Sequence, residues 1–243
     1  MNIHALKVSA GNKGAIVIAL RGHWILEWGF IPGALVQVII EQGCVSFTLC
    51  GNSVTRKHGS NIITALVCHK SPMLIASGKY IRNSGLVVGD NLIACCAPGF
   101  IRVKKLPVGV RIINMTDDKI WLSGYWLANI GFTPGIVALI RSEPGKIIIE
   151  QYREAAKSPT SVACPPEGFA DHDHYANLTR FARKHKMKLL QFEQRCSKKP
   201  YACVHIDGFV VKKSGFSSGD TLMATCEYGS ITLQKLDLNM VGF

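Results

Sequence analysis

No stretch of this 243-residue chain approaches the roughly 18 consecutive apolar residues that a helical membrane span needs. The first residues, MNIHALKVSAGNKG, have neither an apolar h-region nor a small-residue cleavage site. The two absences predict a cytoplasmic protein with no membrane partner. A disulfide framework is not expected either. The nine cysteines (44, 50, 68, 95, 96, 164, 196, 203 and 226) are odd in number and contain no CxxC pair, as expected in a reducing compartment. Zinc would need clustered Cys and His, and the only cluster, DHDH at 171–174, reads as a capped helix start, so neither metal nor cofactor is expected. The usual catalytic signatures are absent too: no paired acids, no G-x-S-x-G elbow, no P-loop Gly-Lys-Ser/Thr, no family-like Cys/His spacing. Acidic residues are scarce, sixteen against 28 Lys and Arg, and the net charge of +12 favours a polyanionic partner.

What the chain does contain is glycine at fixed intervals. Gly22, Gly78, Gly124 and Gly208 are each followed after seven residues by Gly29, Gly85, Gly131 and Gly215. Four residues on stand Gly33, Gly89, Gly135 and Gly219, and ten beyond those stand Gly43, Gly99, Gly145 and Gly229. Four ungapped copies of one segment follow from this spacing. Each copy reads as a β-type run (AIVIAL, MLIAS, KIWLS, ACVHI), a helical stub, a glycine turn, a strand, a glycine hairpin and another strand. Such a segment leaves an edge and an apolar face open, which predicts that copies pair.

KIWLSGYWLANIGFTPGIVALIRSEPGKIIIE, and almost as well AIVIALRGHWILEWGFIPGALVQVIIEQGCVSFTL, resembles the core of the SymE family of small bacterial toxins. The second and fourth copies, with GKYIRNSGLVVGD and GFVVKKSGFSSGD, carry the Gly-Asp turn of AbrB- and MazE-type swapped-hairpin proteins. The resemblance covers four stretches, about 130 residues in all. It implies a mainly β protein built as tandem AbrB-like swapped-hairpin barrels, a fold used for DNA binding by transcription regulators and antitoxins. The copies also sort by parity: one and three have Trp24 and Trp126 with Pro32 and Pro134, while two and four have Gly89-Asp90 and Gly219-Asp220. This predicts two covalent pseudo-dimers, 1–107 and 108–243, that need no oligomer to complete their barrels. An insertion at 153–199 separates copies three and four. Its apolar positions Tyr175, Leu178, Ala182, His185, Leu189 and Phe192 follow helical spacing, with Asp171 or Asp173 as N-cap and Cys196–Pro200 ending the helix.

The candidate nucleic-acid-binding residues are Lys79 and Arg82 in the second stub, Lys212 and Lys213 in the fourth, and Arg180, Arg183, Lys184 and Lys188 on the insertion helix, beside Lys186. Further cations lie in hairpins and linkers: Arg56, Lys57, Arg102, Lys104, Lys105, Arg111, Arg141 and Lys146. A solvated helix face and soluble strand edges are the plainer reading of these charges. The tryptophans, Trp24, Trp28, Trp121 and Trp126, read as core, with base stacking the alternative. Function is expected to be nucleic-acid binding, with DNA ahead of RNA. The sequence leaves two alternatives: a metal-independent RNA-cleaving toxin using His172, His174 or His185, and a non-enzymatic adaptor or inhibitor docking on a protein.

Overall fold

A β-run followed by a single helical turn buries little by itself, so its apolar residues must be covered by strands from elsewhere in the chain. A computed structural model describes residues 3–51, 62–68, 71–152, 179, 180, 182–184, 187–195 and 201–237. Among the described residues the chain is mainly β, with short α-helices and several antiparallel sheets. None of these sheets closes on itself among the described residues, so the expected barrels are open sheets here. The described helices include none long and apolar enough to cross a membrane. The chain divides into two compact units, Met1–Val108 and Gly109–Phe243.

The first unit contains β1 (Ile3–Lys7), β2 (Ser9–Ala10), β3 (Ile16–Arg21), α1 (Trp24–Glu27), β4 (Leu35–Glu41), β5 (Cys44–Leu49), β6 (Ile62–Thr64), β7 (Leu66–Cys68), β8 (Ser71–Ser77), α2 (Lys79–Arg82), β9 (Asn91–Ala97) and β10 (Phe100–Lys105). Its strands form a six-stranded sheet, β1-β9-β10-β5-β4-β6, and a four-stranded one, β2-β3-β8-β7. Strands of the first and second glycine segments thus meet in both sheets, β3 against β8 and the hairpin β4–β5 against β9–β10 through β5 and β10.

The second unit contains β11 (Val110–Asn114), β12 (Ile120–Ser123), α3 (Trp126–Asn129), β13 (Val137–Glu143), β14 (Lys146–Gln151), β15 (Lys188–Gln191), β16 (Glu193–Arg195), β17 (Tyr201–Ile206), α4 (Gly208–Lys213), β18 (Thr221–Glu227) and β19 (Ser230–Lys235). Its sheets are β11-β18-β19-β14-β13-β15 and β12-β17-β16. Here the third and fourth segments meet in the same way, β12 on β17 and β14 on β19.

Local chemistry explains the shared path. Gly22 and Gly124 turn the chain at φ +124° and +125°, a region that L side chains rarely adopt. The turn lets the indole Nε1–H of Trp24 and Trp126 donate back to the carbonyls of Arg21 and Ser123, at 2.8 and 2.9 Å. In the second and fourth segments Asp90 and Asp220 close the turn. Each accepts from a backbone amide three residues earlier (Val87 and Ser217, both 2.8 Å) and from a lysine ending the following hairpin (Lys105 at 2.8 Å, Lys235 at 2.9 Å). Burial alone would raise the Asp220 carboxyl; the Lys235 ammonium and the Ser217 amide outweigh it and hold its pKa below the ordinary value. Backbone bonds between segments match as well: Gly43 N–H to Ser84 O and Gly145 N–H to Ser214 O, at 2.6 and 2.8 Å.

The alternation of the strands puts one face of each into a core. In the first unit Ile18, Leu20, Phe30, Phe47, Leu74 and Leu92 are buried together; in the second, Leu122, Phe132, Ile149, Phe192, Val204 and Leu222.

The predicted insertion helix needs correction. Residues 179, 180 and 182–184 are helical, but Met187 N–H bonds to Ala182 O at 2.8 Å and a strand begins at Lys188. Lys188, Leu189 and Phe192 therefore do not lie on a helix. β15 pairs antiparallel with β13, Leu189 opposite Leu139 and Leu190 opposite Ala138. Spacing at 185, 189 and 192 suits a helix, yet Leu190 and Phe192 suit a strand equally, and the ladder offered by the edge of β13 decides between them. The predicted positions Tyr175, Leu178 and His185, the caps Asp171 and Asp173, and the stop at 196–200 lie outside the described residues.

Candidate nucleic-acid interface

The second unit gathers cations around the start of α4. Asp207 caps this helix, its Oδ1 accepting from Val210 N–H at 3.1 Å, and Ser214 Oγ donates to Val210 O at 3.1 Å near the other end. Val210 and Val211 face the core, which sends Phe209, Lys212 and Lys213 to the surface. Lys188, from β15, reaches the same place: its ammonium lies 3.3 Å from Asp207 Oδ2 and 4.6 Å from the centre of the Phe209 ring. Burial opposes ionisation of Asp207, but the Val210 amide and Lys188 outweigh it and lower its pKa. Lys212, 71% exposed, lies 3.6 Å from Asp118 Oδ2. Lys119, exposed, adjoins that aspartate just before β12.

The structure thus brings Lys188 together with the stub carrying Lys212 and Lys213. Arg180, Arg183 and Lys184 are exposed on the helical residues upstream of β15. In the first unit Lys79 opens α2, and Arg82 is exposed with its Nη2 donating to Gly14 O at 3.4 Å. Under the seven-four-ten spacing Arg82 and Lys212 occupy matching positions, whereas Lys79 matches Phe209 and Lys213 matches Asn83. Only one cation of each stub is therefore duplicated.

Several cations singled out in the sequence have partners on neighbouring strands and turns. Arg102 donates to Glu41 at 3.3 Å and to Cys44 Sγ at 3.2 Å, Lys105 pins Asp90, and Arg141 lies between Glu143 and Glu150, at 3.7 and 3.4 Å. Arg111 lies over the Trp126 ring at 4.6 Å, and burial lowers its pKa. Arg56 and Lys57 lie outside the described residues, as do His172, His174 and His185. Among the described residues no group of three or more His, Cys, Asp or Glu is placed to hold a metal ion.

Sequence reasoning missed an aromatic surface. Trp24, Trp28 and Trp126 pack against the cores, but Trp121 is 48% exposed on β12. Its ring stacks on His205 from β17, centres 4.6 Å apart, and Tyr125, 55% exposed, meets Tyr201 edge-on at 5.7 Å. The signal was present: Trp121 alternates with buried Ile120 and Leu122, and Tyr201 and His205 with Ala202, Val204 and Ile206, so period-two alternation sends these rings outward.

No protein-family model, curated protein or solved structure matches this chain.

Proposed function

We infer that the protein binds nucleic acid, DNA in preference to RNA, through phosphate contacts from Lys188, Lys212 and Lys213 in the second unit, with Arg82 and Lys79 as the lesser counterpart in the first. The observation that carries this reading is the meeting of Lys188 with the α4 stub in a chain of net charge +12. The lysine pairs with Asp207 and Asp118 do not oppose it. Ion pairs this exposed are worth about 0–1 kcal/mol, so either ammonium exchanges its carboxylate for a phosphate at little cost. The helical cations Arg180, Arg183 and Lys184 extend the surface. Phosphate contacts hold a protein on the duplex without reading its sequence.

The same reading takes the chain as two swapped-hairpin pseudo-dimers of the AbrB kind, made from four divergent copies of one segment, with open sheets in place of closed barrels. The paired bonds of Trp24 and Trp126, of Asp90 and Asp220, and of Gly43 and Gly145 support it. The test of function is binding to labelled duplexes of several sequences by fluorescence anisotropy. Lys188→Ala/Lys212→Ala/Lys213→Ala should weaken all of them alike, and adding Arg82→Ala should weaken them further. Unchanged affinity in a folded variant rejects this surface. Absence of DNA binding by the wild type, with capture of an acidic protein instead, moves the adaptor reading ahead, and RNA cleavage by purified protein moves the toxin reading ahead.

A further inference from the structure

The geometry points to a platform for the unpaired bases of single-stranded DNA on the outer face of the β12-β17-β16 sheet, made by Trp121, His205, Tyr125 and Tyr201. The inference rests on the nucleic-acid reading above and names the form of the ligand. Trp121 and His205 stand opposite each other in the register of β12 and β17, and their stack leaves the indole about half exposed. Tyr201 stands four residues from His205 along β17, about 13 Å at the rise of a strand. The two ring pairs are therefore separate stops along one face, spaced for bases that are not adjacent.

Packing does not require rings here. By the register of β3 with β8, the first unit has Ala19 opposite Ile75 where the second has Trp121 opposite His205. The glycine spacing likewise puts His23 and Ser71 where Tyr125 and Tyr201 stand. One path of backbone thus carries all four rings on this face in one unit, while the other keeps only the imidazole of His23, which separates the set from what the fold needs.

Charge selects the occupant. Lys119 stands two residues before Trp121, and Lys212, bound to Asp118, adjoins the same end of the face. Glu193, on β16 opposite Cys203, shares this face with the rings as the one acidic residue in the described strands β12, β17 and β16, and the two lysines offset it. The long-range field of a +12 chain brings a polyanion to the surface. A duplex offers phosphates but keeps its base faces stacked inside. A single strand offers phosphates to Lys119 and Lys212 and π-faces to the rings together, and stacking tolerates any base.

The test uses the full chain, a fluorescein-labelled 15-mer of oligo(dT) and a duplex of the same length. Wild type should bind the single strand and lose tryptophan emission as a base covers Trp121. Trp121→Ala should lower the ratio of single-strand to duplex affinity by about fivefold to a hundredfold, with Trp121→Phe recovering most of it and far-UV circular dichroism confirming the fold of both. Tyr125→Ala should lower the ratio by a smaller factor. If the duplex binds but oligo(dT) does not, or binds without quenching, or if Trp121→Ala keeps the wild-type ratio, the platform is overturned while the phosphate surface stands. If neither DNA binds, the nucleic-acid reading fails and the platform with it.

Discussion

Phe192→Ala tests the packing that holds β15 and β16 to the core; the helix its spacing suggests would bury the same ring, and the neighbouring leucines tell strand from helix. Phe192 is 1% exposed and its ring lies 4.7 Å from that of Phe132. Its backbone is held on both sides, its N–H donating to Ile136 O at 2.9 Å and its carbonyl accepting from Gly135 N–H at 2.8 Å. Because these bonds fix the main chain, the site cannot collapse far when the ring is removed. Lost transfer energy of about 1.5–3 kcal/mol and the cavity left behind bring the expected loss to about 3–5 kcal/mol. Urea unfolding followed by far-UV circular dichroism reads this as a lower midpoint at unchanged slope. The neighbours sharpen the test: Leu190 packs on the core and Leu189 faces the other way, so Leu190→Ala should cost more than Leu189→Ala. A helix would reverse that order. A loss below about 1 kcal/mol for Phe192→Ala, of the size usual for surface changes, would refute the reasoning.

Three further outcomes follow from the geometry. His4 stacks on Trp24 at 3.9 Å, and burial, partly offset by Glu27, lowers its pKa from 6.5. The unfolded chain then takes up a proton before the folded one does, so stability should fall as pH drops below about 6.5 and level off below the folded pKa, and His4→Phe should flatten that part of the stability–pH curve. Asp220, whose folded pKa is lowered, contributes stability present above the unfolded value of 3.8 and lost as pH falls through its folded pKa; Asp220→Asn should remove this lower acid step in the same melts. Gly124→Ala should destabilise by about 1–3 kcal/mol, since the backbone sits at φ +125° and the new Cβ would lie 3.1 Å from Trp126 Cδ1; equal stability of variant and wild type in urea would contradict this.

The hairpins were legible in the sequence because their chemistry is local. Pro98-Gly99 and Pro144-Gly145 are turn pairs, proline fixing one φ and glycine supplying a positive one, and each joins the strands it separates. The end of the insertion was not legible, because KLLQF satisfies both a helical and a strand period and only its pairing with β13 selects the strand. Trp121 was misread for a related reason. Tryptophan is buried on average, and the 48% exposure of Trp121 follows from its outward phase on β12, which the pairing with β17 sets. At the interface, the two basic stubs were visible as composition, but the approach of Lys188 to α4 is a tertiary contact across nineteen residues. Arg102, Lys105 and Arg141 were indistinguishable in sequence from free surface cations, since their carboxylate partners come into place only through hairpin and sheet register.

The salt dependence of duplex binding tests the central claim most directly. Each phosphate contact contributes a slope of about −0.9 to log K against log salt on B-DNA. Anisotropy titrations of wild type and of Lys188→Ala/Lys212→Ala/Lys213→Ala across a salt series should therefore give slopes that differ by about 2.7, the variant being the shallower on every sequence. Equal slopes in two folded proteins, or a wild-type affinity that does not change with salt, would contradict the account.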